Sequence, residues 1–153
     1  MADWYVINRV EWTDILELNW RIDVEEWLDT QGTIETMQAT GNPLTIEHLT
    51  SSDNILNEPI KGSVANFTIY SDTNFQWAKF YDYSGLKYRV RIYYNNTTLY
   101  WLGFINSSGY QEPYDAISYP VTLTATDGLG ILKNIKYDDE GTGIDNSGAI
   151  EAC

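Results

Sequence analysis

The stretch DGLGILK, residues 127–133, has the composition of a phosphate-binding turn that follows a predicted strand. Glycine-rich turns bind dinucleotides through G-x-G-x-x-G and nucleoside triphosphates through a loop that ends in Gly-Lys. Here Lys133 occupies the position of the third glycine, and the Gly-Lys spacing is also wrong. The pattern therefore predicts a structural turn formed by Asp127, Gly128 and Gly130. Asp127 caps it through its side chain, and Gly128 takes a backbone angle that other residues resist.

The other residues that could do chemistry do not assemble into a recognisable site. His48 is the only histidine and lies in a predicted strand, residues 44–49. Nothing marks a nucleophile elbow, and 22 acidic residues offer no preferred pair for glycoside hydrolysis. The single cysteine, Cys153, excludes both an intramolecular disulfide and a cysteine-based metal site. We predict a protein without catalytic residues, cofactor or metal.

The charge is strongly acidic and unevenly distributed. The net charge is -13, and a chain of this charge repels nucleic acid, whose binding depends on phosphate neutralisation. Residues 1–60 contain 12 acidic and 2 basic residues, whereas residues 61–136 contain 5 acidic and 7 basic residues. This distribution is typical of ordinary solvated surface, but it also allows an acidic end of one molecule to meet the basic middle of another. No sequence-specific nucleic-acid partner is expected.

Alternation of apolar and polar residues dominates the chain and predicts strands. Residues 16–24 alternate over nine positions, and residues 119–126 alternate over eight. A hairpin is predicted from residues 88–94 and 99–106 around an Asn-Asn-Thr-Thr turn. Further strands are predicted at residues 6–12, 34–39, 44–49 and 61–70, with a turn at residues 40–43 and a short helix at residues 73–81 capped by Ser71 or Asp72. The fold class is all-β, a sandwich or barrel with one or two short helices.

We assign residues 1–137 to one β-domain and residues 138–153 to an acidic linker rich in glycine and aspartate. The first ten residues lack the apolar core of a signal peptide, and no apolar run reaches the ~18 residues of a membrane helix. The expected place of assembly is a cytoplasm, without membrane insertion.

Aromatic residues make up 14% of the chain, with 6 Trp, 12 Tyr and 4 Phe. Three interpretations compete: packing inside the sheet, anchoring of a protein interface, and a platform of exposed rings that binds sugar. Trp20, Trp27, Trp101 and Tyr100 lie in or beside apolar patterns and are predicted to be core residues. Tyr93 shares a face with Arg89 and Arg91 and is predicted to be exposed.

A series of short pieces follows in a set order between residues 60 and 137. These pieces are Lys61-Gly62-Ser63, residues 88–92, Trp101-Leu102-Gly103-Phe104-Ile105, Tyr114, Tyr119-Pro120 and Leu123-Thr124-Ala125-Thr126-Asp127-Gly128-Leu129-Gly130. Through them residues 60–137, about half the chain, resemble the N-terminal region of bacteriophage tail proteins, namely the baseplate-hub and distal-tail family of phages and prophages with Bacteroidetes-type hosts.

The resemblance implies a structural virion protein with a fold related to the tail tube. Such proteins form trimeric or hexameric rings that join the tail tube to the host-contacting tip and leave a channel for DNA. It also implies partners among the tube, tip or spike, and tape-measure proteins, and a place in the phage tail after assembly in the bacterial cytoplasm. Proteins of that family run longer, so residues 1–153 are expected to belong to a longer chain.

Ring subunits meet through unlike surfaces. We therefore predict a subunit interface at Lys87, Arg89, Arg91 and Tyr93, facing acidic residues from the region 1–60 of a neighbour, so that charge reversal at Arg89 and Arg91 weakens assembly. The alternative is a carbohydrate-binding module of a tail tip or of another β-sandwich adhesin, which would require exposed, coplanar Trp and Tyr rings.

Overall fold

The all-β prediction is confirmed. A computed structural model describes residues 2–48, 62–82, 84–106, 112, 115 and 117–129 of the chain. Within these residues there are eight strands and one short 3₁₀ helix, at Gln76–Phe80. The strands are β1 (Asp3–Thr13), β2 (Asn19–Leu28), β3 (Glu35–Thr36), β4 (Ala39–His48), β5 (Ser63–Ser71), β6 (Tyr88–Tyr94), β7 (Thr98–Ile105) and β8 (Tyr119–Thr126).

The strands form one open mixed sheet in the order β3-β1-β2-β6-β7-β8-β5-β4. Among the strands of the described residues, the β1–β3 pair alone is parallel. The contact between β7 and β8 is short, with Phe104 opposite Thr126 and Ile105 opposite Ala125. The sheet therefore consists of two well-paired groups, β3-β1-β2-β6-β7 and β8-β5-β4, that meet at this narrow joint. Among the described residues the pairing leaves the sheet open, so a closed barrel is not observed.

The chain between β3 and β4 connects the two outer edges of the sheet. The amide of Met37 donates to the carbonyl of Arg9 on β1 over 2.7 Å, and the amide of Tyr70 on β5 donates to the carbonyl of Gln38 over 3.0 Å. One hydrophobic core accordingly receives side chains from both groups, including Val10 and Ile22 from the first and Phe67 and Leu123 from the second.

Strand β8 coincides with the predicted strand, residues 119–126, and its buried and exposed positions alternate as the sequence does. It pairs with β5, in which Phe67 lies opposite Leu123. The predicted hairpin is formed by β6 and β7 around residues 95–97. These strands were predictable because one face of each is apolar and a slip of one residue would turn that face to water.

Three predicted elements were wrong at their boundaries. The strand predicted at residues 34–39 is reduced to β3, Glu35–Thr36, and residue 39 already belongs to β4. Strand β2 begins at Asn19 and not at residue 16, because Asp14 Oδ1 accepts hydrogen bonds from the amides of Leu16 (2.8 Å) and Leu18 (3.0 Å) and holds these residues in a turn. The helix is shorter than predicted, Gln76–Phe80, and its N-cap is Phe75 and not Ser71 or Asp72.

The turn predicted at residues 40–43 is also wrong. These residues lie inside strand β4, where they form an irregular insertion between the pairs Ala39–Ile69 and Leu44–Phe67. The Gly-Asn-Pro composition predicts a turn that reverses the chain. In the structure it interrupts the regular pairing without reversing the strand, which is the other common role of such residues in sheets.

Candidate functional site

The predicted basic residues lie on β6 and the residue before it, on the side of the sheet opposite the core. Strand β6 pairs with β2, and this register places Arg89 opposite Glu25 and Arg91 opposite Asp23. Arg89 Nε donates to Glu25 Oε2 over 2.6 Å, and Arg91 Nη1 lies 3.4 Å from Glu25 Oε1. Lys87 Nζ lies 3.1 Å from Glu26 Oε1. Acidic residues from the region 1–60 therefore do contact these bases, but within the same chain.

A second carboxylate on the same surface binds two further arginines. Arg9 Nε donates to Asp23 Oδ1 over 2.7 Å, and this hydrogen bond raises the pKa of the Arg9 guanidinium above its ordinary value. Arg21 Nε lies 3.1 Å from Asp23 Oδ2. Both carboxylates are buried beneath partly exposed guanidinium groups. We call the whole set the arginine face; its members are Arg9, Arg21, Asp23, Glu25, Arg89 and Arg91.

The prediction that Tyr93 is exposed was wrong. Tyr93 is only 8% exposed, because the guanidinium carbons of Arg21 and Arg91 lie 4.3 Å and 5.1 Å from its ring centroid. Stacking of this kind is favourable because the face of the ring is electronegative. Tyr93 thus supports the arginine face from below. The sequence offered a signal for this in the alternation of Arg21, Asp23 and Glu25 along β2.

An aromatic group borders the arginine face at one end of the sheet. The guanidinium carbon of Arg89 lies 4.5 Å from the ring centroid of Trp4, which packs edge-on against Trp27 and Phe104. Trp27 was predicted to be a core residue but is 55% exposed. On β7, Leu99 and Leu102 are also exposed, and they lie opposite Tyr93 and Arg91.

Asp127 makes the predicted cap and also a contact that the sequence did not reveal. Its Oδ1 accepts the amide of Leu129 over 3.2 Å. Its Oδ2 accepts hydrogen bonds from both the amide (2.5 Å) and the hydroxyl (2.8 Å) of Ser63. Ser63 Oγ in turn accepts a hydrogen bond from Trp101 Nε1 over 2.9 Å. This connected group fastens β8 to β5 and β7. Gly128 has no left-handed backbone angle, contrary to the prediction, and Gly130 lies outside the described residues.

The lone histidine and the acidic side chains form no metal-binding cluster in the described part of the chain. His48 is exposed at the end of β4. Residues 2–48, 62–82, 84–106, 112, 115 and 117–129 contain no cluster of three or more His, Cys, Asp or Glu side chains that could hold a metal. No helix in the same residues is long and apolar enough to span a membrane. The predicted linker, residues 138–153, lies outside the described residues.

Three aromatic rings line an opening at one end of the core, which we call the aromatic mouth; its rings are Trp12, Trp20 and Tyr100. Trp12 and Trp20 are stacked, with ring centroids 6.3 Å apart and planes 11° apart. Tyr94 and Tyr100 meet Trp20 edge-on at 5.4 Å and 5.3 Å. Tyr100, predicted to be a core residue, is 60% exposed. The mouth opens onto a cavity of about 610 Å³.

The aromatic mouth is held in place by Asp14. Trp20 Nε1 donates to Asp14 Oδ2 over 3.1 Å, while Asp14 Oδ1 accepts the two amides of the β1–β2 turn. These hydrogen bonds, that of Leu18 first, lower the pKa of Asp14 below its ordinary value. The carboxylate is therefore ionised at neutral pH and fixes the orientation of the Trp20 ring.

Comparison with known proteins gives no relative from which a function could be transferred: no family model, no curated protein and no solved structure matches this chain.

Proposed function

We propose that this chain is a structural subunit of a bacteriophage tail, part of the hub or baseplate ring that joins the tail tube to the host-contacting tip and surrounds the DNA channel. In this proposal it contacts further copies of itself in a trimer or hexamer and the tube, tip and tape-measure proteins above and below. It is assembled in the bacterial cytoplasm and resides in the virion. The resemblance of residues 60–137 supports the family, and the arginine face supports self-association.

The arginine face is the observation that carries the proposal. It contains four guanidinium groups and two carboxylates, so it is positive on a chain whose net charge is -13. Arginine and large aromatic residues are enriched in protein interfaces. Here the arginines are bordered by exposed Trp27, Leu99 and Leu102. A positive surface with an apolar border suits an acidic protein partner.

A second copy of the chain can supply the acidic surface. Asp23, Glu25 and Glu26 are already paired with bases of their own chain, so the neighbour must use other carboxylates. Glu17, Asp29 and Glu47 are exposed in the acidic region 1–60. A contact between two different surfaces can close into a ring, whereas a contact between identical surfaces gives a dimer.

The experiment is the native mass of the purified chain at low and high salt. We expect three or six copies at low salt and dissociation at high salt, because screening weakens contacts between charged surfaces. Charge reversal at Arg89 and Arg91 would also leave Glu25 without an ion-pair partner. Leu102→Glu is therefore the sharper variant, because it places a negative charge beside the arginine face and removes none of the side chains that form its ion pairs.

Leu102→Glu should reduce the assembly to monomers at a concentration at which the parent chain is fully assembled. The matched control is Thr45→Glu on the exposed side of β4, which should assemble as the parent chain does. A parent chain that stays monomeric at high concentration and low salt would contradict the proposal. So would an assembly that Leu102→Glu leaves unchanged.

A further inference from the structure

The cavity at the aromatic mouth is formed where three irregular segments meet. The first is the β1–β2 turn, in which Glu17 has a left-handed backbone angle (φ 63°). The second is the insertion at residues 40–43 of β4. The third is Tyr100, an extra residue of β7 that lies between the β6–β7 pairs Ile92–Trp101 and Tyr93–Leu99. Interruptions of strand pairing reorient side chains and concentrate at binding sites. Three of them around one opening indicate a built site.

The lining combines aromatic faces with polar groups. Trp12, Trp20 and Tyr100 form one wall, and Thr13, Asp14, Thr40 and Asn42 contribute hydroxyl, carboxylate and amide groups to the other side. The insertion at residues 40–43 has no partner residues in the β4–β5 register. None of the described residues that line the cavity is basic.

We infer that the aromatic mouth binds a neutral saccharide. A pyranose ring has an apolar C–H face that stacks on indole and phenol rings, and hydroxyl groups around its edge that pair with amides, hydroxyls and backbone groups. Ligand sites have volumes of roughly 300–1,000 Å³ with aromatic walls and a few placed polar groups, and the cavity of about 610 Å³ falls in this range. Both halves of the lining are used by this ligand class.

The charge and polarity of the lining disfavour anionic ligands and purely apolar ones. Asp14 lies in the lining and is ionised, and no basic side chain of the lining opposes it. A nucleotide, a phosphorylated lipid or an acidic sugar would place its anion near this carboxylate and gain no ion pair. A purely apolar ligand would remove the Asn42 amide from water without pairing it, which is unfavourable.

The inference does not depend on the proposed tail assembly. The aromatic mouth is formed by side chains that point to the core side of β1 and β2, whereas the arginine face lies on the opposite side of the same strands. A monomeric chain could therefore bind sugar, and an assembled ring could fail to do so.

The test is titration of the full chain with four neutral hexasaccharides, namely cellohexaose, maltohexaose, chitohexaose and mannohexaose, followed by tryptophan fluorescence and calorimetry. We expect at least one to bind with a Kd on the order of 1 mM or tighter. Tyr100→Ala should raise that Kd about tenfold. Asn42→Ala should raise it several-fold, and both residues are exposed enough for the fold to survive.

The matched control is Tyr81→Ala, which removes an equally exposed tyrosine away from the aromatic mouth and should leave the Kd unchanged. Circular dichroism of each variant verifies that it is folded. The inference is overturned if none of the four sugars binds, if Tyr100→Ala and Asn42→Ala bind as the parent chain does, or if Tyr81→Ala weakens binding as strongly as Tyr100→Ala.

Discussion

The arginine face and the aromatic mouth are built from the same strands by opposite means. In the arginine face, regular pairing sets Asp23 and Glu25 of β2 opposite Arg91 and Arg89 of β6, and Arg9 of β1 opposite Asp23. In the aromatic mouth, pairing is interrupted, and Tyr100 turns to the opening because it is an extra residue in β7.

The difference shows what regularity and its interruption each provide. A regular antiparallel pair fixes which side chains are neighbours, so charges of opposite sign lie across from each other and neutralise one another. An interruption leaves the extra residue without a partner in the neighbouring strand and reorients its side chain, so it creates space between the strands. The arginine face is therefore suited to a broad protein contact, and the aromatic mouth to a small ligand.

The largest expected effect comes from Gly103→Ala, because β7 contributes to both regions. A methyl group at this position would overlap the ring of Trp101 and the backbone carbonyl of Thr126 at the joint with β8. Overpacking typically costs about 1–3 kcal/mol, and a rigid backbone neighbour places this change near 3 kcal/mol. Urea unfolding measures it. Gly32→Ala, where an added methyl meets nothing within 4 Å, is the control and should change stability by less than about 0.5 kcal/mol.

Glu25→Gln tests the arginine face alone. It removes the charge beneath Arg89 and Arg91, which then repel each other without compensation. Breaking a buried pair costs about 3–5 kcal/mol, but both arginines are partly exposed and regain water, so we expect about 2 kcal/mol. The exposed Glu47→Gln should be neutral. Equal stability of the two variants in urea would show that the arginine face contributes nothing to folding.

Trp20→Phe tests the aromatic mouth alone. It keeps an aromatic ring against Trp12 but removes the hydrogen bond from Nε1 to Asp14. We expect the free energy of unfolding to fall by about 1 kcal/mol, the net contribution of a half-buried hydrogen bond. The control is Trp27→Phe, an exposed indole for which no such bond is found among the described residues, and it should lose less. If the two variants unfold at the same urea concentration, Asp14 does not hold the mouth.

The smallest expected effect is in the pH dependence of stability. The pKa of Asp14 is lowered in the folded chain, so its contribution is complete above the pKa of the unfolded chain and is lost as the pH falls through the folded pKa. We expect the melting temperature of Asp14→Asn to fall less steeply on acidification below pH ~4 than that of the parent chain. A parallel decline in the two proteins would contradict this assignment.

The regular strands and the hairpin were predictable because their signal is local. Strand β8 alternates over its whole length and β6 alternates over Tyr88–Ile92, and burial of one face enforces the same period. The insertion at residues 40–43 was not predictable in this way, because glycine, asparagine and proline equally permit a turn and an interrupted strand. Exposure of Trp27 and Tyr100 was also unpredictable, because an apolar residue in a strand becomes buried only if another element covers it.

The sequence by itself determined the all-β class, the strand faces and the excess of aromatic residues, because side-chain period and composition are properties of the chain alone. The tertiary structure decided which strands are neighbours. It brought Ser63 to Asp127 and Trp101, set Arg89 opposite Glu25 and opened the cavity beside Tyr100. These contacts join residues far apart in sequence, and their partners are chosen by the register of whole strands, which no local pattern specifies.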